Sequence, residues 1–203
     1  MAARILAALA AGPLGLELSE LAESLRRITV QVHAGRWGHG SGVIWRRDGL
    51  IVTNAHVAAG AGARVRLADG RMLEARLVAR EPDRDLAALR IPATGLPVAR
   101  SGGFDALRPG ELVAALGHPY GVPDALAIGV IHELTRDHAA PAWIRADIRL
   151  APGNSGGPLA DAGGRVLGIN TLVAGGLGFA IPSPVVAGFL RRAGLVPPGE
   201  RAA

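Results

Sequence analysis

The stretch PGNSGGPL, Pro152–Leu159, places three glycines and two prolines around a single hydroxyl, Ser155. A structural turn needs one glycine where φ is positive. A reactive serine needs more, because neighbouring N–H groups must aim at one point beside a substrate carbonyl. A serine hydroxyl is also a weak nucleophile until a base takes its proton and a third group orients the base. Both residue types occur upstream in suggestive settings. TNAHV, Thr53–Val57, sets His56 just after the apolar run LIVT, where a strand end can present an imidazole at a barrel edge. PDRDLAALRI, Pro82–Ile91, sets Asp85 at the head of an apolar run, and Asp83 shares its face of an extended segment.

Chain order narrows the fold. GNSGG also satisfies G-x-S-x-G, the elbow of α/β-hydrolases, but there the histidine follows the serine and a helix follows both. Here every histidine precedes Ser155, the last being His138, and Pro158-Leu159 runs into a turn at Asp161–Gly164 and the strand-like VLGINTL. The elbow is therefore rejected. His, Asp, Ser is the chymotrypsin order.

The rest of the chain agrees with an all-β reading. Leu18, Leu21, Ala22, Leu25 and Ile28 fall at helical spacing and lead into β-branched Thr29–Val32. Short apolar runs punctuated by glycine and proline then predict strands at Gly42–Trp45, Leu50–Thr53, Arg64–Leu67, Leu73–Val78 and Leu86–Ile91. The series resumes at Leu112–Leu116, Leu126–Leu134, Trp143–Asp147, Val166–Leu172 and Gly178–Ile181. Ala93–Pro109 reads as a crossover between two β halves. A final helix is expected from Ser183, as N-cap, with Pro184 in its first turn and an apolar stripe of Val185, Val186, Phe189 and Leu190.

TNAHV, DLAAL, GNSGGPL and GFAIP together resemble the HtrA (Deg) branch of the chymotrypsin-like serine proteases, over most of the chain from Ile28 through the final helix. The resemblance implies two antiparallel six-stranded β-barrels with the active site between them. It places residues 28–95 in the first barrel, 96–109 in the crossover, 110–182 in the second, and 183–203 in a helix and tail, after an N-terminal segment 1–27. It implies His56 as general base, Asp85 rather than Asp83 as the orienting acid and Ser155 as nucleophile. The oxyanion loop is then Gly153, Asn154 and Ser155, with the amides of Gly153 and Ser155 as donors. The substrate pocket falls to Leu150, Asn170, Thr171 and Leu172, whose apolar character favours Val, Ala or Leu at P1. Arg149 joins it if its side chain points inward, where it would accept acidic residues, and leaves specificity untouched if it points out.

By the same resemblance the substrates are unfolded proteins or exposed peptides, cleaved through an acyl-enzyme. The other reading is a non-catalytic peptide-binding or chaperone-like module on the same fold. A homotrimer is the family's assembly, with a monomer as the alternative. About twenty residues follow GFAIP, so a PDZ domain of ordinary size is not expected, and the AGG-rich loop after Leu172 reads as short. His118 stands where the family more often has asparagine, and it is read with His33, His39, His132 and His138 as solvated or structural.

Composition sets the outer bounds. The chain has 203 residues, 49% apolar and 19% charged, without cysteine, which excludes disulfides and thiolate metal sites. No metal-ligand spacing appears and no cofactor is expected. All 22 basic residues are arginine, scattered along the chain, and aromatics are only 3%, so nucleic-acid binding is not expected. No apolar run reaches the ~20 residues of a membrane span. Ile5–Leu16 resembles a signal-peptide core after Arg4, which gives a lean to the cell envelope or exterior over the cytoplasm; the alternative is a frayed helix stopped by Gly12-Pro13.

Overall fold

The computed structural model describes residues 13–34, 38–60, 62–135 and 142–196. The signal-like stretch up to residue 12 and His138 lie outside them. Helix α1, Pro13–Ile28, feeds strand β1, Thr29–Ala34. Five further strands follow, β2 (Gly38–Arg46), β3 (Leu50–Thr53), β4 (Ala63–Arg66), β5 (Met72–Glu81) and β6 (Leu86–Arg90). They close an antiparallel barrel in the order β1-β2-β3-β6-β5-β4. The second barrel takes β7 (Leu112–Gly117), β8 (Ala125–Thr135), β9 (Trp143–Asp147), β10 (Pro158–Asp161), β11 (Val166–Ala174) and β12 (Leu177–Pro182). Its order is β10-β11-β12-β9-β8-β7. Helix α2, Ser183–Arg192, packs back onto it. This is the two-barrel, chymotrypsin-like architecture that the sequence predicted.

Alternation along the strands explains the barrels. In β4, Ala63 and Val65 are buried while Arg64 and Arg66 are not, so one face fills the barrel and the other stays wet. Each barrel has its own core, one around Val30, Ile51 and Leu89, the other around Ile131, Ile144 and Leu167. A third core joins them. It gathers Leu25 and Ile28 of α1, Val43, Leu50 and Leu86 of the first barrel, Leu116 and Ile169 of the second, and Val186, Phe189 and Leu190 of α2. Phe189, 2% exposed, sits in this shared core. Phe189→Ala is expected to lower unfolding stability by about 3–5 kcal/mol, read from urea denaturation, because the cavity opens where both barrels and the helix meet. A loss under about 1 kcal/mol would mean that the shared core does not join the halves.

The helix read as stopped by Gly12-Pro13 lies outside the described residues, which begin with α1 at Pro13. Two local expectations need correction. Ser183 does not cap α2: the N-cap is Pro182, and the Ser183 hydroxyl, buried, donates to the Val166 carbonyl at 2.6 Å. A buried hydroxyl takes the nearest acceptor, here on a neighbouring strand. Strand β10 was not foreseen, because it is four residues long and begins with proline, which is tolerated at a first strand position. The short loop after Leu172 is a two-residue hairpin turn, with Gly175 and Gly176 at φ 59 and 81, the paired positive values that such a turn demands.

Candidate active site

Strand β3 ends at Thr53, and the chain then makes a single turn closed by the Ala58 amide on the Asn54 carbonyl at 3.1 Å. That turn carries His56, half exposed at the barrel edge. Opposite it, Pro82–Arg84 forms a short 3₁₀ turn that Asp85 closes in the left-handed region at φ 51. Aspartate tolerates this conformation better than most residues. It swings the carboxylate back to His56, with Oδ2 at 2.8 Å and Oδ1 at 3.0 Å from Nδ1. The His56 amide donates to Oδ1 at 3.0 Å, and the Thr171 hydroxyl donates to Oδ2. Asn54 ties the two turns together through Nδ2 on the Asp85 carbonyl, 2.9 Å. Asp83 is exposed and shares none of these bonds.

Burial alone would raise the pKa of Asp85, but the hydrogen bonds from the His56 ring, the Thr171 hydroxyl and the His56 amide outweigh it. The carboxyl is held below its ordinary range. An ionised Asp85 can only accept, so it favours the His56 proton on Nδ1 and leaves the lone pair on Nε2.

The loop from Ala151 to Ser155 has all five of its carbonyls occupied. Ala151 accepts from the Asn154 amide at 3.0 Å, Pro152 from Tyr120 at 2.9 Å, and Asn154 from Gly157 at 3.0 Å. Gly153 accepts from the Ser41 hydroxyl at 2.8 Å, and Ser155 from the Ser41 amide at 2.8 Å. Among the described residues, the amides of Gly153 and Ser155 have no partner. The Asn154 N–H is already bonded inside the loop, to the Ala151 carbonyl, so it is not free to act as a donor. Gly153 needs its glycine, since at φ 108 an added Cβ would lie 2.3 Å from the His118 carbonyl.

Ser155 itself donates to the Thr171 carbonyl at 2.8 Å, and among the described residues it has no bond to His56. Thr171 thus touches both halves of the site, Asp85 through its hydroxyl and Ser155 through its carbonyl. The sequence reading had it only as a pocket residue. Its link to Asp85 spans 86 positions, so no local pattern announced it.

Beside Ser155 opens a cavity of about 310 Å³ lined by Leu150, Ala151, Pro152, Asn170, Thr171 and Leu172 among others. Gly178 makes room for the Leu150 side chain, as a Cβ there would come within 2.8 Å of Leu150 Cδ1. Arg149 does not line this cavity. It is exposed, because Ile148 and Leu150 on either side turn inward and alternation sends Arg149 to solvent. The inward alternative for Arg149 is withdrawn.

Two barrels with a histidine and an aspartate presented by one and a glycine-framed serine by the other define the chymotrypsin-like class of serine hydrolase sites. Comparison with known proteins agrees: the trypsin-like peptidase domain family matches residues 40–169. The chain belongs to that family, on its HtrA (Deg) side. It is 38% identical over 192 residues to "Protease Do-like 1, chloroplastic" of Arabidopsis thaliana, covering 85% of this chain and 43% of that protein. It is 42% identical over 157 residues to "Probable periplasmic serine endoprotease DegP-like" of Marinomonas sp. (strain MWYL1), covering 72% of this chain and 33% of the relative. It therefore spans less than half the length of either. Among solved structures, "HtrA-type protease AlgW with tripeptide" superposes with a TM-score of 0.81 at 32% identity, over 87% of this chain and 63% of that one.

No helix of the described residues is long and apolar enough to cross a membrane.

Proposed function

We propose that this chain is a serine endopeptidase that hydrolyses peptide bonds of unfolded or damaged proteins through His56, Asp85 and Ser155. The observation that carries the reading is the pairing of Asp85 with His56 beside a loop in which, among the described residues, the amides on either side of Asn154, those of Gly153 and Ser155, have no partner. In this mechanism Ser155 Oγ attacks the scissile carbonyl while His56 Nε2 takes its proton, and the carbonyl oxygen becomes an oxyanion held by the two amides. The amine then leaves with the proton from His56, giving an acyl-enzyme. Water, deprotonated by His56, attacks the ester and restores Ser155. Each amide aimed at the oxyanion supports a stabilisation of roughly 2.7–4 kcal/mol in the transition state.

The serine must first turn from the Thr171 carbonyl to His56. That exchange gives up one hydrogen bond worth about 0.5–1.5 kcal/mol and gains another, so it adds little to the barrier. The same observation is what favours the second reading, a binding module in which Ser155 stays on Thr171 and peptides are held without cleavage.

The apolar cavity next to Ser155 supports Val, Ala or Leu at P1, with modest discrimination, since each methylene is worth about 1–3 kcal/mol. Digesting an unfolded protein such as casein and sequencing the fragments tests both points. The expected result is cleavage after small or branched apolar residues. Intact casein would favour the binding module, and frequent cleavage after Asp or Glu would overturn the pocket assignment. A place outside the cytoplasm is supported by the name of the periplasmic relative.

A further inference from the structure

The oxyanion loop is held from behind by a buried polar cluster that the hydrolytic steps do not use. His118 follows β7, with its side chain only 7% exposed. Its backbone N–H lies 3.1 Å from Ser41 Oγ, and its ring Nδ1 also lies 3.1 Å from the same oxygen. Ser41, on β2, is fully buried and reaches the Gly153 carbonyl at 2.8 Å. A hydroxyl has one hydrogen to give and two lone pairs to receive. Three groups therefore compete for Ser41 Oγ, and their roles follow by elimination. The Gly153 carbonyl can only accept, so it takes the hydrogen. The His118 backbone N–H can only donate, so it fills one lone pair. The ring can satisfy the other only with a proton on Nδ1.

We infer that neutral His118 carries its proton on Nδ1 and, through Ser41, is a positioning residue that fixes the peptide plane of the Gly153 carbonyl, which lies between the planes carrying the Gly153 and Ser155 amides. This rests on the reading of Gly153 and Ser155 as oxyanion donors. Two consecutive peptide planes are pinned from one short turn, because Tyr120 N–H holds the Pro152 carbonyl at 2.9 Å while Ser41 and His118 hold that of Gly153. If the Gly153 carbonyl loses its hydroxyl, one bond remains to it, from the His118 amide at 3.4 Å. That plane is then steadied chiefly by the Asn154 N–H on the Ala151 carbonyl at 3.0 Å, and its tilt misaligns the amides on either side of it.

The charges facing His118 come from three other elements. Asp124, in the loop before β8, has Oδ1 at 3.7 Å from Nε2, longer than a hydrogen bond. His33 on β1 and Arg66 on β4 oppose a cationic ring. Burial, the largest influence, lowers the pKa of His118 and so disfavours the cationic ring. When acid does add the second proton, it goes to Nε2 beside Asp124, and Nδ1–H keeps its bond to Ser41. The latch therefore holds in both states.

Two measurements test it. Long-range ¹⁵N–¹H correlation of the imidazoles in the intact chain at neutral pH should show His118 protonated on Nδ1 and bare on Nε2; the reverse pattern overturns the inference, whatever the enzyme's activity. Peptide hydrolysis supplies the second readout. Ser41→Ala and His118→Gln should lower kcat by ~10- to 100-fold with KM nearly unchanged, as for a misplaced oxyanion donor. Asparagine presents its N–H near the place of Nδ1 and glutamine near that of Nε2, so His118→Asn should recover most of what His118→Gln loses. Equal losses in both, or a change confined to KM, would contradict the latch. If the unaltered chain cleaves nothing, the endopeptidase reading fails by itself, and the tautomer measurement still decides this one.

Discussion

Ser155→Ala is expected to lower kcat on an unfolded substrate by on the order of 10⁶-fold, because the groups of such a site act as a unit and lose nearly everything together. The variant should fold normally. Among the described residues the Ser155 hydroxyl makes one hydrogen bond, to the Thr171 carbonyl, and Thr171 keeps its own bond to Asp85. Removing it leaves a part-buried carbonyl able to find water, so the stability change should stay within about 1 kcal/mol. Residual hydrolysis above the uncatalysed rate should survive, since the Gly153 and Ser155 amides still face the oxyanion position. Steady-state kinetics beside thermal unfolding separates these outcomes. Equal kcat in both proteins would remove Ser155 from the reaction.

Asp85→Asn should cost roughly 10⁴-fold in kcat with the geometry intact. The substituted side chain keeps the shape that accepts from the His56 amide at Oδ1, 3.0 Å, but it has only one acceptor oxygen. Its NH₂ group then meets either the Thr171 hydroxyl or the His56 ring. Facing the ring, it donates to Nδ1 and forces the proton to Nε2, so the base is blocked. The change also alters the acid limb of stability. The folded pKa of Asp85 is depressed, so the ionised carboxylate contributes stability that is present above the unfolded value of about 3.9 and is lost as pH falls through the folded value. Native protein should therefore lose stability below about pH 4 more steeply than Asp85→Asn. Parallel acid titrations of the two by circular dichroism read this, and identical curves would show that the bonds to His56 and Thr171 do not stabilise the carboxylate.

What was legible in the sequence was what depends on near neighbours. Strands β3 and β9 have the bounds read from LIVT and WIRAD, because an apolar or alternating run between turn residues leaves few other options. The chain order of His56, Asp85 and Ser155 separated two folds that share G-x-S-x-G. What was hidden depends on contacts between distant segments. Ser41 lies 112 positions from the Gly153 carbonyl it holds, and nothing in GHGSGVI distinguishes it from a strand serine. His118 was read as a side chain of no consequence for the site, though its place directly after the buried run LVAALG was a hint that the imidazole would be enclosed. Ser183 was misread because one nearby carbonyl decides where its hydroxyl goes, and the two alternatives for Arg149 stayed open because a single alternation step decides between them. β10 escaped because its four residues carry no period long enough to read.

The most direct test of the central claim is covalent. Purified protein is treated with a fluorophosphonate, which phosphonylates a serine made nucleophilic by an adjacent base with loss of fluoride, and is then weighed intact and mapped by peptide. The account predicts a single adduct, on Ser155, that is absent from Ser155→Ala and forms far more slowly in His56→Ala. An unmodified chain, or an adduct on another residue, would contradict it.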